Sequence, residues 1–549
     1  MTSEPLLPTV GDLLARLLDA AGVEAVFGVL SVHNLPLLEA IHRLGKTRYV
    51  CARGEAGAVN MADGHARVTG RVGVAVTSTG AGAGNACGAL IEAQTAGTPL
   101  LHITGQVNLD YLDRGWGDVH EAKDQRAMLG AAGKAAFRVW SADTALGTLR
   151  EALRVAMTPP CGPVSVEIPI DLQGARVSRP PGSIRPLAVT VPRPDAADID
   201  RLADALASAR RPLLWLGGGA RHAGSGARRL LDLGFGAVTT IQGRGVVPED
   251  DPRTLGAFNL QPPIARLYAG CDALLVAGSK LRVPETARHT LALPERRFRI
   301  DVDPQAEGRG YASEAFVCAD AALALDALAD RLEGRLRTDP GFHADLRAAR
   351  AAAEAQMREN LGRYAAVCDE LQAAAGTGFN WVRDMTISSS TWGHRLFRLF
   401  EPRQSAHASG GGIGQGLSMA IGAAVGTPGR RTLVLVGDGG LMLNAAELPT
   451  AVQENTGVVL LVMNDKGYGI LRNLADEQFG GRRFYADLHT PDFGLLAKAH
   501  GYAYTRIASL DRLGAQLREA LASPAPATLV EFDMDAIGPF ARPFSGPRI

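Results

Sequence analysis

The sequence predicts an α/β protein of three doubly wound parallel-sheet domains. Apolar runs of strand length recur along the 549 residues, among them Val72–Val76, Pro212–Leu216, Ala273–Ala277, Thr432–Val436 and Val458–Met463. Stretches with helical spacing separate them, the alternation that builds a parallel sheet with helices on both faces. Two segments break it. Residues 176–198 are rich in Pro, Arg and Val and read as an extended linker; residues 340–375 are rich in Ala and charge and read as a helical one. The expected domains are therefore 1–178, 190–335 and 365–549.

In the first domain a helix over Val10–Ala21 leads to a short strand, Ala25–Phe27, and a loop from Gly28 to His33. A helix from Leu35, a strand near Arg48–Ala52 and a helix over Ala56–Val68 follow. Then come the strand Val72–Val76, a turn over Thr77–Gly84, a helix over Asn85–Ala96 and the strand Pro99–Ile103. The second domain offers Pro212–Leu216 with the turn Gly217–Gly219, then strands Ala273–Ala277 and Phe298–Val302, and closes at Asp320. The third holds a glycine-rich turn, Ser409–Gly416, before a small-residue helix. Its tail, Ile537–Phe544, has prolines and phenylalanines without periodicity, and fits a site cover or a frayed end.

Lys plus Arg equals Asp plus Glu at 57 each, which argues against nucleic acid or an anionic membrane as the main partner. The six cysteines are scattered, without a C-x-x-C pair, so neither a zinc site nor a disulfide framework is expected. No apolar run reaches a membrane-spanning length, and Met1–Pro5 lacks a basic leader; a cytoplasmic protein is expected.

Chemistry concentrates where two strands stop. Gly437-Asp438-Gly439 ends the run Thr432–Val436, and Asn464 ends the run Val458–Met463. Between them Asn444 and Glu447 read as a helix N-cap and its capping-box partner. Two parallel strands joined by a helix place Asp438 and Asn464 side by side at the carboxyl edge, where open α/β sheets bind ligands. A carboxylate and an amide oxygen are hard ligands suited to Mg²⁺ or Ca²⁺, which share phosphate oxygens. Gly437, Gly439 and Gly440 let backbone N–H groups approach a diphosphate. A lone Gly-Asp-Gly is also an ordinary βαβ turn; an Asn at the next strand end, after 24 intervening residues, points to the metal-bridged site.

This spacing resembles the fingerprint of thiamine diphosphate (ThDP) enzymes, and the resemblance covers nearly the whole chain, closest to acetolactate (acetohydroxyacid) synthase large subunits. It implies that Asp438, Asn464 and the Lys466 carbonyl hold Mg²⁺ against the diphosphate. It implies that Glu55, within Arg53-Gly-Glu-Ala-Gly-Ala58, hydrogen-bonds the pyrimidine ring, which needs a buried carboxyl with a raised pKa. Gly54 stands where the family has His. Ile413 would wedge under the bent cofactor, and the Gly411 carbonyl would accept from its amine. On the substrate side, His33 matches a His of benzaldehyde-lyase-like members. His120 replaces the Gln of the synthases' Phe-Gln-Glu stretch, and Lys134 matches their Lys in a Thr-Lys segment.

The implied activity is decarboxylation of a 2-oxo acid with carboligation, or C–C cleavage of an acyloin. A lyase or decarboxylase releasing an aldehyde, and a non-catalytic relative, are the alternatives. Gly217–Gly219 and Asp301–Asp303 are compatible with FAD, which is not predicted. Glu55 and Asp438 lie in different units, so the resemblance implies a homodimer, or a tetramer built from it, with sites shared between subunits.

Overall fold

The computed structural model describes residues 7–179, 181–544 and 546; the segment read above for a leader lies outside them. Among the described residues, seventeen strands form three sheets. The first holds β1 (Ala25–Gly28), β2 (Arg48–Cys51), β3 (Gly73–Thr77), β4 (Leu100–Gln106), β5 (Ala135–Arg138) and β6 (Pro163–Pro169). The second holds β7 (Pro212–Leu216), β8 (Gly236–Thr239), β9 (Ala273–Ala277), β10 (Arg297–Asp301) and β11 (Ala315–Cys318). The third holds β12 (Phe379–Arg383), β13 (Ser405–His407), β14 (Arg431–Gly437), β15 (Val458–Asn464), β16 (Ala503–Ile507) and β17 (Ala527–Asp533). Every pairing between these strands is parallel, as the fold class requires.

The first sheet runs β2-β1-β3-β4-β6-β5 and the third β13-β12-β14-β15-β17-β16, the same order in a different part of the chain. In each, the chain turns outward after its first two strands and then reverses. The crevice at that reversal, open at the carboxyl edge, is the topological switch point. It lies between β1 and β3 in the first sheet and between β12 and β14 in the third. The second sheet, β11-β10-β9-β7-β8, reverses between β7 and β9. There Gly217 packs so closely that a Cβ on it would lie 2.1 Å from the Gly278 carbonyl oxygen. The glycine turn thus serves strand-end packing. Asp303 caps the turn Pro304–Ala306 that follows, and Asp320 caps the helix Ala321–Leu332 rather than ending the domain.

The first and third units pack through equivalent helices, Glu55–Thr69 after β2 and Gly416–Gly426 after β13. A Cβ on Gly64 would lie 2.1 Å from the Met419 oxygen, and one on Gly422 1.8 Å from the Met61 oxygen. Each helix needs a glycine where the other's backbone crosses it. Ala58, Ala62, Ala420 and Ala423 fill the same continuous core.

Some local expectations are corrected. The helix after Gly437 begins at Asp438 itself. Asn444 caps nothing; its amide donates to Ser418 Oγ at 2.8 Å. The helix expected from Asn85 starts at Ala81. Strands β6 and β17 escape a hydrophobicity reading because Ser165, Glu167, Thr528 and Glu531 are buried polar residues within them.

Gly422→Val is expected to cost about 3 kcal/mol or more by forcing the two helices apart. A clearly lowered urea midpoint in the purified variant would bear this out; an unchanged one would show that the crossing can relax.

Candidate active site

The crevice of the third sheet is flanked by two aspartates, one at each strand end. Asp384 follows β12 and Asp438 follows β14; both are buried. Asp384 is satisfied, accepting from the amides of Met385 at 2.7 Å, Gly414 at 3.1 Å and Gly416 at 2.9 Å. Asp438 is not. Neither of its oxygens finds a hydrogen bond of acceptable geometry. Burial, and then the neighbouring Asp465 carboxyl, push its pKa up to about 7, although the amides of Gly439 and Gly467 lie close enough to pull it back somewhat.

Asn464 ends the adjacent strand, with Gly437 paired to Met463 just before it. Its Nδ2 donates to Glu531 at 2.7 Å, so its oxygen faces the other way. Lys466 adopts a left-handed conformation, φ 57°. Its ammonium pairs with Asp535 at the surface, so its contribution to a ligand is the backbone carbonyl. A buried orphan carboxylate, an amide oxygen and a carbonyl form an oxygen set that fits a hard divalent cation. Gly439 and Gly440 lie in the first turn of the helix Asp438–Leu443, where a Cβ on Gly439 would meet the Tyr468 ring at 2.8 Å.

The glycine turn that follows β13 is anchored from all three domains. Glu92 accepts from the amides of Ser409 and Gly410. Arg67 reaches the His407 carbonyl at 2.5 Å and pairs with Asp63 at 2.5 Å. From the second domain, Gln242 donates to Ser409 Oγ at 2.5 Å and Arg282 to its carbonyl at 2.7 Å. Gly411 is left-handed, φ 89°, a conformation that suits glycine. Ile413 projects from this turn with 44% of its surface exposed.

The first sheet's edge carries the other candidates. Glu55 opens its helix, half-buried, and accepts from Asn85 Nδ2 at 3.2 Å. Just before it, Glu447 of the third domain accepts from the amides of Arg53 at 2.9 Å and Gly54 at 3.1 Å. At the switch point Ser31 and Ser78 share a hydrogen bond at 2.7 Å. His33 and His120 lie edge to face, ring centroids 5.3 Å apart. Burial, and then the second imidazole, lower the pKa of His33, and its Nδ1 has no partner. Gln125 steadies this corner, accepting from Thr79 Oγ1 and the Gly80 amide while donating to the Gly105 carbonyl and Glu167.

Lys134 does not join them, which corrects its reading as a site residue. It precedes β5, at the amino edge of the sheet. Its ammonium donates to the carbonyls of Val155, Thr158 and Pro160 at 2.7–2.8 Å. Those groups follow or end the helix Ala142–Met157, so Lys134 caps it. Asp384, Glu92, Gln125, Glu447 and Glu531 were missed by sequence reasoning. Asp384 left no signal either, because Asn380 and Arg383 interrupt the apolar pattern of the strand before it.

Fold and site together define an α/β protein of three parallel sheets with an unpartnered buried carboxylate at the carboxyl edge of the third. Family models named as the N-terminal TPP-binding, central and C-terminal TPP-binding domains of thiamine pyrophosphate enzymes match residues 8–128, 199–328 and 387–531. A probable 2-ketoarginine decarboxylase of Pseudomonas aeruginosa is 34% identical over 93% of this chain and 91% of its own length. Acetolactate synthase 1 of Zea mays is 28% identical over 94% and 84%, and the acetolactate synthase large subunit of Haemophilus influenzae 26% identical over 95% and 94%. The chain belongs to the thiamine pyrophosphate enzyme family.

In metal-free protein, Asp438→Asn removes a buried carboxylate whose folded pKa is raised above its unfolded value. Such a group's destabilising effect is absent below the unfolded pKa and complete once pH has risen through the folded value near 7. Asp438→Asn is therefore expected to raise the thermal midpoint of the metal-free protein at pH 8, by a margin that shrinks towards pH 5. With Mg²⁺ present it should weaken thiamine diphosphate binding, read by calorimetric titration.

Proposed function

We propose that the chain catalyses thiamine diphosphate- and Mg²⁺-dependent decarboxylation of a 2-oxo acid and releases the aldehyde. The observation that carries the cofactor assignment is the buried Asp438 carboxylate without a protein partner, beside the Asn464 amide and the Lys466 carbonyl. Asp438, Asn464 and the Lys466 carbonyl hold the cation; Gly437, Gly439 and Gly440 leave room for the diphosphate; Ile413 and the Gly411 carbonyl meet the rest of the cofactor. When bound, thiamine diphosphate supplies a nucleophilic ring carbon and an electron sink for the carbanion left by CO₂.

Glu55 is placed to hydrogen-bond the pyrimidine ring. His33 and His120 stand where the donor carbon is expected. With its pKa lowered, His33 stays neutral near pH 7 and can pass a proton through one ring nitrogen. Aldehyde release, rather than transfer to a second carbonyl compound, needs a proton delivered beside the donor carbon, which an imidazole can supply. It is supported by the likeness to a protein named a 2-ketoarginine decarboxylase. The likeness to acetolactate synthases keeps carboligation as the second reading.

The site is completed in a homodimer, Glu55 and the histidines from one subunit and Asp438 and Ile413 from the other. Exposed apolar side chains beside both half-sites support this: Leu30, Val32, Trp116 and Val119 near the histidines, and Ile413, Met442 and Leu443 near the glycine turn. No helix among the described residues is long and apolar enough to cross a membrane.

The test is CO₂ release and product identification by NMR, with Mg²⁺, thiamine diphosphate and a panel including pyruvate and 2-ketoarginine. Aldehyde from any member supports the proposal; acetolactate from pyruvate moves the assignment to the synthase reading. Glu55→Gln should lower turnover at least about 100-fold while leaving cofactor binding within a few-fold of wild type. Glu55→Gln and Asp438→Asn, each inactive, should regain about a quarter of wild-type activity when unfolded and refolded as a mixture, because half the dimers then carry one intact site. No recovery would place each site within one subunit.

A further inference from the structure

An asparagine amide has two ends, and only the oxygen binds a cation. In Asn464 the choice is made by Glu531. Asn464 Nδ2 donates to Glu531 Oε1 at 2.7 Å. With nitrogen facing Glu531 on β17, the oxygen faces the other side, toward β14 and Asp438. The other carboxylate oxygen accepts from the Tyr504 hydroxyl, which holds Glu531 against rotation.

Strand register builds this arrangement. β15 lies beside β17 with Val462 opposite Glu531 and Asn464 opposite Asp533. Asn464 and Glu531 are therefore diagonal neighbours on one face, and both are buried. β16 lies on the far side of β17, with Tyr504 opposite Leu529. The Asn464 oxygen also accepts a long hydrogen bond, 3.3 Å, from the Lys466 amide, within the turn that presents the Lys466 carbonyl.

The geometry points to Glu531, braced by Tyr504, as the positioning residue of the cation site: it turns the Asn464 oxygen toward the cation and keeps the amide NH₂ away from it. This deepens the proposed function and rests on its cation reading. Without Glu531 the amide is free to flip, and a flipped amide offers two donors where a ligand is needed.

The test is a Mg²⁺ titration of full-length protein in the presence of thiamine diphosphate, followed by intrinsic tryptophan fluorescence, for wild type, Glu531→Ala, Glu531→Gln and Tyr504→Phe. Glu531→Ala is expected to raise the half-saturating Mg²⁺ concentration about 10–100-fold, the size typical of groups that orient metal ligands. Saturating Mg²⁺ should restore its turnover, a split that a merely unfolded variant would not show. Glu531→Gln keeps an acceptor oxygen but loses the charge, and should titrate like wild type. Tyr504→Phe should fall between, with an unchanged metal-free thermal midpoint, and so keeps the test open if Glu531→Ala does not fold. A Glu531→Ala curve superimposed on wild type would overturn the assignment, as would Glu531→Gln as weak as Glu531→Ala, which would make charge and not orientation the cause. Wild-type protein that binds thiamine diphosphate equally well in EDTA would remove the cation reading, and this inference with it.

Discussion

The Asp438 carboxylate is the constraint on which the rest of the third domain turns. It sits at the end of a strand buried on both faces, and the protein supplies it with no adequate partner. Asp384, across the same crevice, has equal burial and three amide donors. Two acids of one type, at matching strand ends, are thus put to opposite uses. The satisfied one ties the loop after β12 to the glycine turn. The unsatisfied one is costly to keep ionised, because a buried carboxylate needs a paired or coordinated partner.

The glycine turn beside it sits in a frame that no single domain owns. The turn bearing Gly411 and Ile413 starts at Ser409 and Gly410, which receive side chains from both other domains. The Arg67–Asp63–Glu92 group beneath it is fully buried. Such a group adds little net stability, since desolvation offsets the attraction, but removing one member would strand the others. Its value is geometric: it fixes the turn relative to the helix that begins at Glu55. Glu447 does the same from the opposite side.

How much of this was legible follows from what each residue needs as a partner. Asp438 and Asn464 were readable because purely apolar runs lead up to them and because strand ends meet at one edge. Ile413 was readable from the glycines around it. Glu92, Glu447 and Glu531 were not, because their partners are amides or an asparagine that only the folded chain brings near. β6 and β17 were hidden for the same reason: their buried acids satisfy distant donors, and so interrupt the apolar pattern. Lys134 shows the converse error. A matched motif places a residue in the chain but does not say at which edge of a sheet it emerges, and this one emerges at the edge opposite the site.

The repeated strand order of the first and third sheets, and the reciprocal glycines where their equivalent helices cross, describe two copies of one architecture facing each other. The copies have divided the labour. One edge carries the titratable side chains Glu55, His33 and His120, the other an unpartnered buried carboxylate beside an asparagine amide. What they share is the groove, where a side chain added at either glycine would press on the other helix's backbone.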